Sequence, residues 1–159
     1  GVGSRIDVLE HVFKNKIENT LFAGIYNEEI FRELKNKKNK IVIKDSISKK
    51  KISISIDKFY LKNDNAIVIS NNNTVIFTKY RKPFHYLSDF RELNINLKKY
   101  KILIVKSGYL SPELKKLKAD NFMILTDGFV TQDFKRIKNL FREKPIYPFQ
   151  KNFRYNIAI

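Results

Sequence analysis

"KILIVKSGYLSPELKKLKADNFMILTDG", residues 101–128, is the stretch on which the fold turns. Ile102 to Val105, with Lys101 before them, have no polar alternation and read as a buried strand. Ser111 can cap a helix whose first position is Pro112 and whose first turn holds Glu113. "NFMILTDG" (121–128) then reads as a second strand running into a turn. Strand, short helix and strand make a β-α-β unit, so the two strands are expected to lie parallel with a right-handed crossover. Their carboxyl ends are Lys106-Ser107-Gly108-Tyr109 and Thr126-Asp127-Gly128. Ligands of open α/β sheets gather outside such ends. A lysine, a tyrosine hydroxyl and an aspartate would rim one crevice, with Gly108 and Gly128 letting backbone N–H groups approach a ligand or a neighbouring domain. The plainer alternative is an ion pair between Lys106 and Asp127 that locks two adjacent turns, with the glycines supplying turn geometry. An exposed pair of that kind contributes about 0–1 kcal/mol.

Upstream, Ser4 and Asp7 have the S-x-x-D spacing of a capping box, and Val8, Leu9, Val12, Phe13 and Ile17 share one helical face, which predicts a helix over 5–18. The same "GVGSRID" segment could instead form a glycine-rich approach to a helix whose free N–H groups hold an anion. "TLFAGI" (20–25) reads as a short buried strand, and Asn27 can cap a second helix with Glu28 and Glu29 in its first turn and Lys35, Lys37 and Lys38 near its end. From 40 to 79 the period changes to two. "KIVIK", "KISISID" (51–57), "AIVIS" and "TVIFT" predict an antiparallel meander, and "NNN" (71–73) a hairpin turn, because asparagine tolerates positive φ. "LSDFREL" (87–93) and "QDFKRIKNLF" (132–141) read as helices, and the tail, with two prolines and several aromatics, as an extended segment over the surface. The expected architecture is α/β: a mixed sheet with a β-hairpin or meander section and a C-terminal β-α-β unit, helices packed on the sheet, in a single domain over 1–159.

The totals limit the function classes. A chain of 159 residues with 43% hydrophobic content holds one domain with a sizeable core. No apolar run approaches the ~20 residues that span a bilayer, and "GVGSRIDVLEHV" has none of the pattern of a signal peptide. Without cysteine there is no disulfide framework and no thiolate metal site, which suits the cytoplasm. A net charge of +16 can indicate a nucleic-acid partner. However, the lysines are scattered apart from "KNKKNK" (35–40) and "KKK" (49–51), and AT-rich codons supply Lys, Asn and Ile together. A basic nucleic-acid-binding protein is therefore the less favoured alternative. A catalytic zinc site needs three ligands and an open position. The chain has two histidines, His11 and His85, neither with a second histidine at ligand spacing. His11 reads as a half-buried or solvated helix residue and His85 as an anchor of the loop before 87–93.

Several segments carry a resemblance. "IVKSGYLSPEL", "MILTDGFVTQDFKRI" and "KPIYPFQKNF" are similar to successive landmarks in the C-terminal domain of the microcystinase C (MlrC) family of metallopeptidases. There a "VVKSGYLxPEL"-like strand and turn precede an "MALTPGxxDQD"-like turn and an "RPxFPFD"-like tail. "GVGSRID", "LFAGIYNEEIF" and "VIFTKYRKPFHYLSDFREL" resemble the family's "GGGSPGD", "AGIxDPEAV" and "VVTxRRxPFHDLxxFRxLGI" in the same order. The resemblance covers nearly the whole chain and is weakest over 36–64. Arg5 and Ile6 depart from the "SPGD" turn, Asp127 stands where the family has proline, and Gln150 replaces the aspartate of "PFD".

The resemblance implies a zinc-dependent peptidase acting on short or linearised peptides, with its metal ligands in a larger N-terminal domain. On that reading this chain, which does not open on Met, is a fragment lacking the metal-binding domain. It carries no cofactor, catalytic residue or metal ligand of its own and is inactive alone. Its partners are then the N-terminal catalytic domain of the same protein and a peptide substrate, with no membrane. A homo-oligomer is left open. The domain would pack on its catalytic partner and help to form the substrate cleft. Lys106, Ser107, Gly108, Tyr109, Asp127 and Gly128, followed by Ser4 and Asp7, are the candidates for the cleft or the domain interface. The alternative is a stand-alone, non-catalytic binding module of the same fold.

Overall fold

The computed structural model describes residues 6–36, 39–45, 49–106 and 111–124. Contacts divide the chain into two units, Gly1–Met123 and Ile124–Ile159, and every described element belongs to the first. Its strands are β1 (Thr20–Tyr26), β2 (Lys40–Lys44), β3 (Lys51–Ser55), β4 (Lys58–Lys62), β5 (Asn65–Ser70), β6 (Asn73–Thr78) and β7 (Ile102–Val105). Its helices are α1 (Asp7–Lys14), α2 (Glu29–Lys35), α3 (Leu87–Arg91) and α4 (Pro112–Lys115), with a 3-10 turn at Leu97–Lys99.

The main sheet is mixed, in the order β4-β5-β6-β1-β7, with β1 parallel to both β6 and β7 and β4-β5-β6 forming an antiparallel meander. Alternation along each strand divides its side chains between two cores. Phe22, Ile25, Ala66, Val68, Val75 and Phe77 face α1, α2 and the β2–β3 hairpin. Leu21, Ala23, Ile67 and Ile76 face Phe84, Phe90, Leu93 and Leu114 on the other side. Each fully buried Phe or Leu contributes roughly 1.5–3 kcal/mol of transfer free energy.

The expected α/β class with a hairpin and meander section is the one observed. The stretch from 40 to 79, though, is not one continuous meander. β2 and β3 form a separate two-stranded sheet. Its Ile41, Ile43 and Ile54 are buried and its Lys40, Lys44 and Lys51 exposed, so it folds its one apolar face over the main sheet. The helix expected over 5–18 is shorter. Lys16 takes φ 51°, and the bonds Lys16 N–H to Phe13 O (3.3 Å) and Ile17 N–H to Val12 O (3.0 Å) close a Schellman motif, with Ile17 turned onto the core. The helix also begins later. Asp7 is its first residue and Ile6 its cap position, without a side-chain cap, so the capping-box register is not the one adopted.

The "NNN" turn is a hairpin as expected. Asn71 and Asn72 have φ 47° and 59°, the type I′ geometry that follows strand twist, and Ser70 pairs with Asn73. Asn63 and Asp64 repeat this between β4 and β5. The buried Asn73 amide accepts from Thr20 N–H (2.9 Å) and donates to Ile17 O (2.8 Å), tying the turn to the start of β1. β7 is less buried than its apolar run suggests, with Ile102 39% exposed. Of the second strand expected in the β-α-β unit, 121–124 are exposed and not in a strand, and 125–128 lie outside the described residues, as do the helix over 132–141 and the tail.

Tyr60 on β4 packs against the second core and donates to Leu93 O at 3.1 Å. Burial, and secondarily the neighbouring Tyr100, raise its pKa above the ordinary 10.0. A phenol whose pKa is higher in the folded state favours folding below pH 10.0, and that contribution is lost as pH rises through the folded value. Thermal melts carried into the alkaline range should therefore show a steeper fall for the native chain than for Tyr60→Phe. That variant should cost about 1 kcal/mol at neutral pH through the lost hydrogen bond. Parallel pH profiles would remove the titration of Tyr60 as the cause.

Candidate functional site

The parallel strands β6, β1 and β7 end together, and their carboxyl ends carry the loop from Lys79 to Tyr86, the start of α2 and Lys106. A bulge in β1 shapes this end. Ala23 pairs with Ile76 and Ile25 with Phe77, so Gly24 is the extra residue. It has φ +84°, and a Cβ placed there would stand 3.1 Å from the Phe84 ring and 3.2 Å from Lys82 O. The loop after β6 thus lies directly on the β1 backbone. Phe84 is 1% exposed and packs against Phe90, with ring centroids 5.4 Å apart.

The loop is fastened on both sides of Phe84. The Asp89 carboxylate, 8% exposed, accepts from His85 N–H (3.1 Å) and Tyr86 N–H (2.9 Å) and meets Lys82 Nζ at 3.0 Å. Ser111 Oγ donates to His85 O, and Glu113 accepts from Leu87 N–H at 2.7 Å, so the α4 start holds the α3 start. His85 does anchor this loop, and its backbone is held from both sides. The bond from Tyr86 N–H to Asp89 also satisfies a donor that the start of α3 leaves without a helical partner.

What the loop presents is basic and aromatic. Tyr80 and Tyr86 are 62% and 59% exposed, and Tyr26, at the end of β1, is 38% exposed. The Arg81 guanidinium lies over the Tyr26 ring, 5.6 Å from its centroid. Lys79 Nζ stands 4.0 Å from the Asp64 carboxylate in the β4–β5 turn. Between that turn and α2 lies an open concavity of about 390 Å³, lined by charges of both signs, with Phe31 and Leu61 among its walls.

Of the residues chosen from sequence, Lys106 and Asp7 fall within the described part. Lys106 is exposed directly after β7, level with Gly24, and has no ion-pair partner among the described residues. Asp7 opens α1, next to Ile6, whose N–H is bonded to the buried Asp45 carboxylate at 3.2 Å. The two stand on different elements. Ser4, Ser107, Gly108, Tyr109, Asp127 and Gly128 lie outside the described residues, and with them the crevice between two turns and its ion-pair alternative. Sequence reasoning missed Gly24, Arg81, Asp89 and Asp45. A lone glycine within an apolar strand was a legible sign of a bulge, whereas the partners of Asp89 and Asp45 are set by tertiary packing.

Among the described residues, no three His, Cys, Asp or Glu side chains stand together as metal ligands, so this part of the chain does not fit a zinc site. Nor is any helix there long and apolar enough to cross a membrane. The family model described as MlrC C-terminus matches residues 45–139, more than half of the chain. No curated protein matches it.

Proposed function

The chain belongs to the MlrC C-terminus family, and from that premise we propose that it is the substrate-cleft domain of a peptidase whose zinc lies in a separate N-terminal domain. It packs on that domain and supplies one wall of the cleft in which short or linearised peptides are hydrolysed, in the cytoplasm, a setting that suits a cysteine-free chain. The observation that carries this reading is the clustering of the fastened 79–86 loop, Tyr26, Arg81 and Lys106 at the carboxyl ends of three parallel strands. That end of a sheet is where α/β proteins place ligands.

The test is to assay metal content and peptidase activity of the chain alone and mixed with the N-terminal domain of a relative. Zinc and activity are expected only in the mixture. Lys106→Ala should lower kcat/KM there by about tenfold, the value of one charge-assisted contact to substrate. Zinc bound by the chain alone, or a mixture that stays inactive, would sink the proposal. Unchanged kinetics for the variant would remove Lys106 from the cleft.

A further inference from the structure

We infer that Arg81 is an anion-anchoring residue that holds a carboxylate of a short peptide at the carboxyl end of the main sheet. Three cations occur within four residues of the loop after β6, and their surroundings differ. Lys79 meets Asp64 at 4.0 Å and Lys82 meets Asp89 at 3.0 Å. Arg81, between them, has neither an ion pair nor a hydrogen bond among the described residues, and its guanidinium lies over the Tyr26 ring. An aromatic ring takes none of the guanidinium N–H donors in hydrogen bonds, so they stay unused, in the fork that matches a carboxylate.

The arrangement is held in place from below. Phe84 sits on Gly24, and Asp89 and Ser111 grip the backbone of His85, so the loop bearing Arg81 is fixed close to its site. Tyr26, under the guanidinium, ends the strand that carries the bulge. An arginine so oriented before a ligand arrives loses little side-chain freedom on binding. That the anion is a peptide carboxylate rests on the function proposed above; the unspent fork rests on geometry alone.

The experiment uses the 159-residue chain with three probes followed by NMR titration: N-acetylated trialanine with a free carboxylate, the same tripeptide amidated at its C-terminus, and inorganic phosphate. The free acid should bind and the amide should not. Arg81→Gln should weaken binding of the acid roughly ten- to a hundredfold. Arg81→Lys should fall between the two, since it keeps the charge and loses the fork. Arg81 is exposed, so both variants should melt with the native chain, which the same samples can show. Acid bound equally by Arg81→Gln, acid and amide bound alike, no binding of the acid, or phosphate bound in preference to it would each overturn the inference. An active domain mixture alongside Arg81-independent binding would leave the cleft proposal standing and this one refuted. An inactive mixture alongside Arg81-dependent binding would do the reverse.

Discussion

Gly24→Ala should cost the fold about 2–4 kcal/mol, the sum of a left-handed backbone forced on an L-residue and a steric conflict. At φ +84° the dihedral alone accounts for about 1–2 kcal/mol. The new Cβ would then meet the Phe84 ring at 3.1 Å and the Lys82 carbonyl at 3.2 Å. A ring can tilt, but a backbone carbonyl moves only if the loop moves with it. Alanine stiffens the unfolded chain and returns about 0.4–1 kcal/mol, too little to compensate. Urea denaturation gives the answer as a lowered midpoint with an unchanged slope. A midpoint equal to that of the native chain would mean that β1 can run past Phe84 without its bulge.

Phe84→Ala should be at least as damaging, at about 3–5 kcal/mol, the range for deleting a fully buried aromatic side chain. The ring is 1% exposed, and it joins the β1 backbone to Phe90 on α3. Its loss would leave a cavity beneath the loop and free Arg81 from its position over Tyr26. The two substitutions should not add. Once the ring is gone, the space that a Cβ at position 24 needs is largely open, so the double variant should be less damaged than the sum of the singles. Strict additivity would identify the Lys82 carbonyl as the obstacle instead.

Local chemistry made much of the fold readable. The alternation of Ile52 and Ile54 with serines, the asparagines at 71 and 72, and Pro112 after Ser111 each state a backbone preference within a few residues, and each element is present. What escaped depends on distant partners. β4 was not foreseen because "KFYLK" lacks a clean polar–apolar alternation and exposes Leu61 at a sheet edge. Whether β2 and β3 would join the main sheet or fold across it depends on where their apolar face finds cover, and no spacing rule encodes that. The site was legible in part. Lys106 does lie at a strand's carboxyl end, read from the end of an apolar run. Arg81 looked like one basic residue among many, because its distinction is its place over the Tyr26 ring on a fastened loop, which only the tertiary structure reveals.

The left-handed residues show how a glycine-poor sequence makes its turns. The chain has five glycines, yet eight described non-glycine residues have positive φ, five of them asparagine. Asparagine enters that region readily, and compared with glycine it restricts the unfolded chain. Its small strain is thereby offset, so a drift in composition from glycine toward asparagine is close to neutral at such turns. Gly24 is different. It is the one described glycine with positive φ, and there the dihedral is only half of the requirement. With Phe84 and the Lys82 carbonyl already in the space a side chain would need, no exchange for asparagine is open. Asparagine can stand for glycine in the hairpins but not under the loop that carries Arg81.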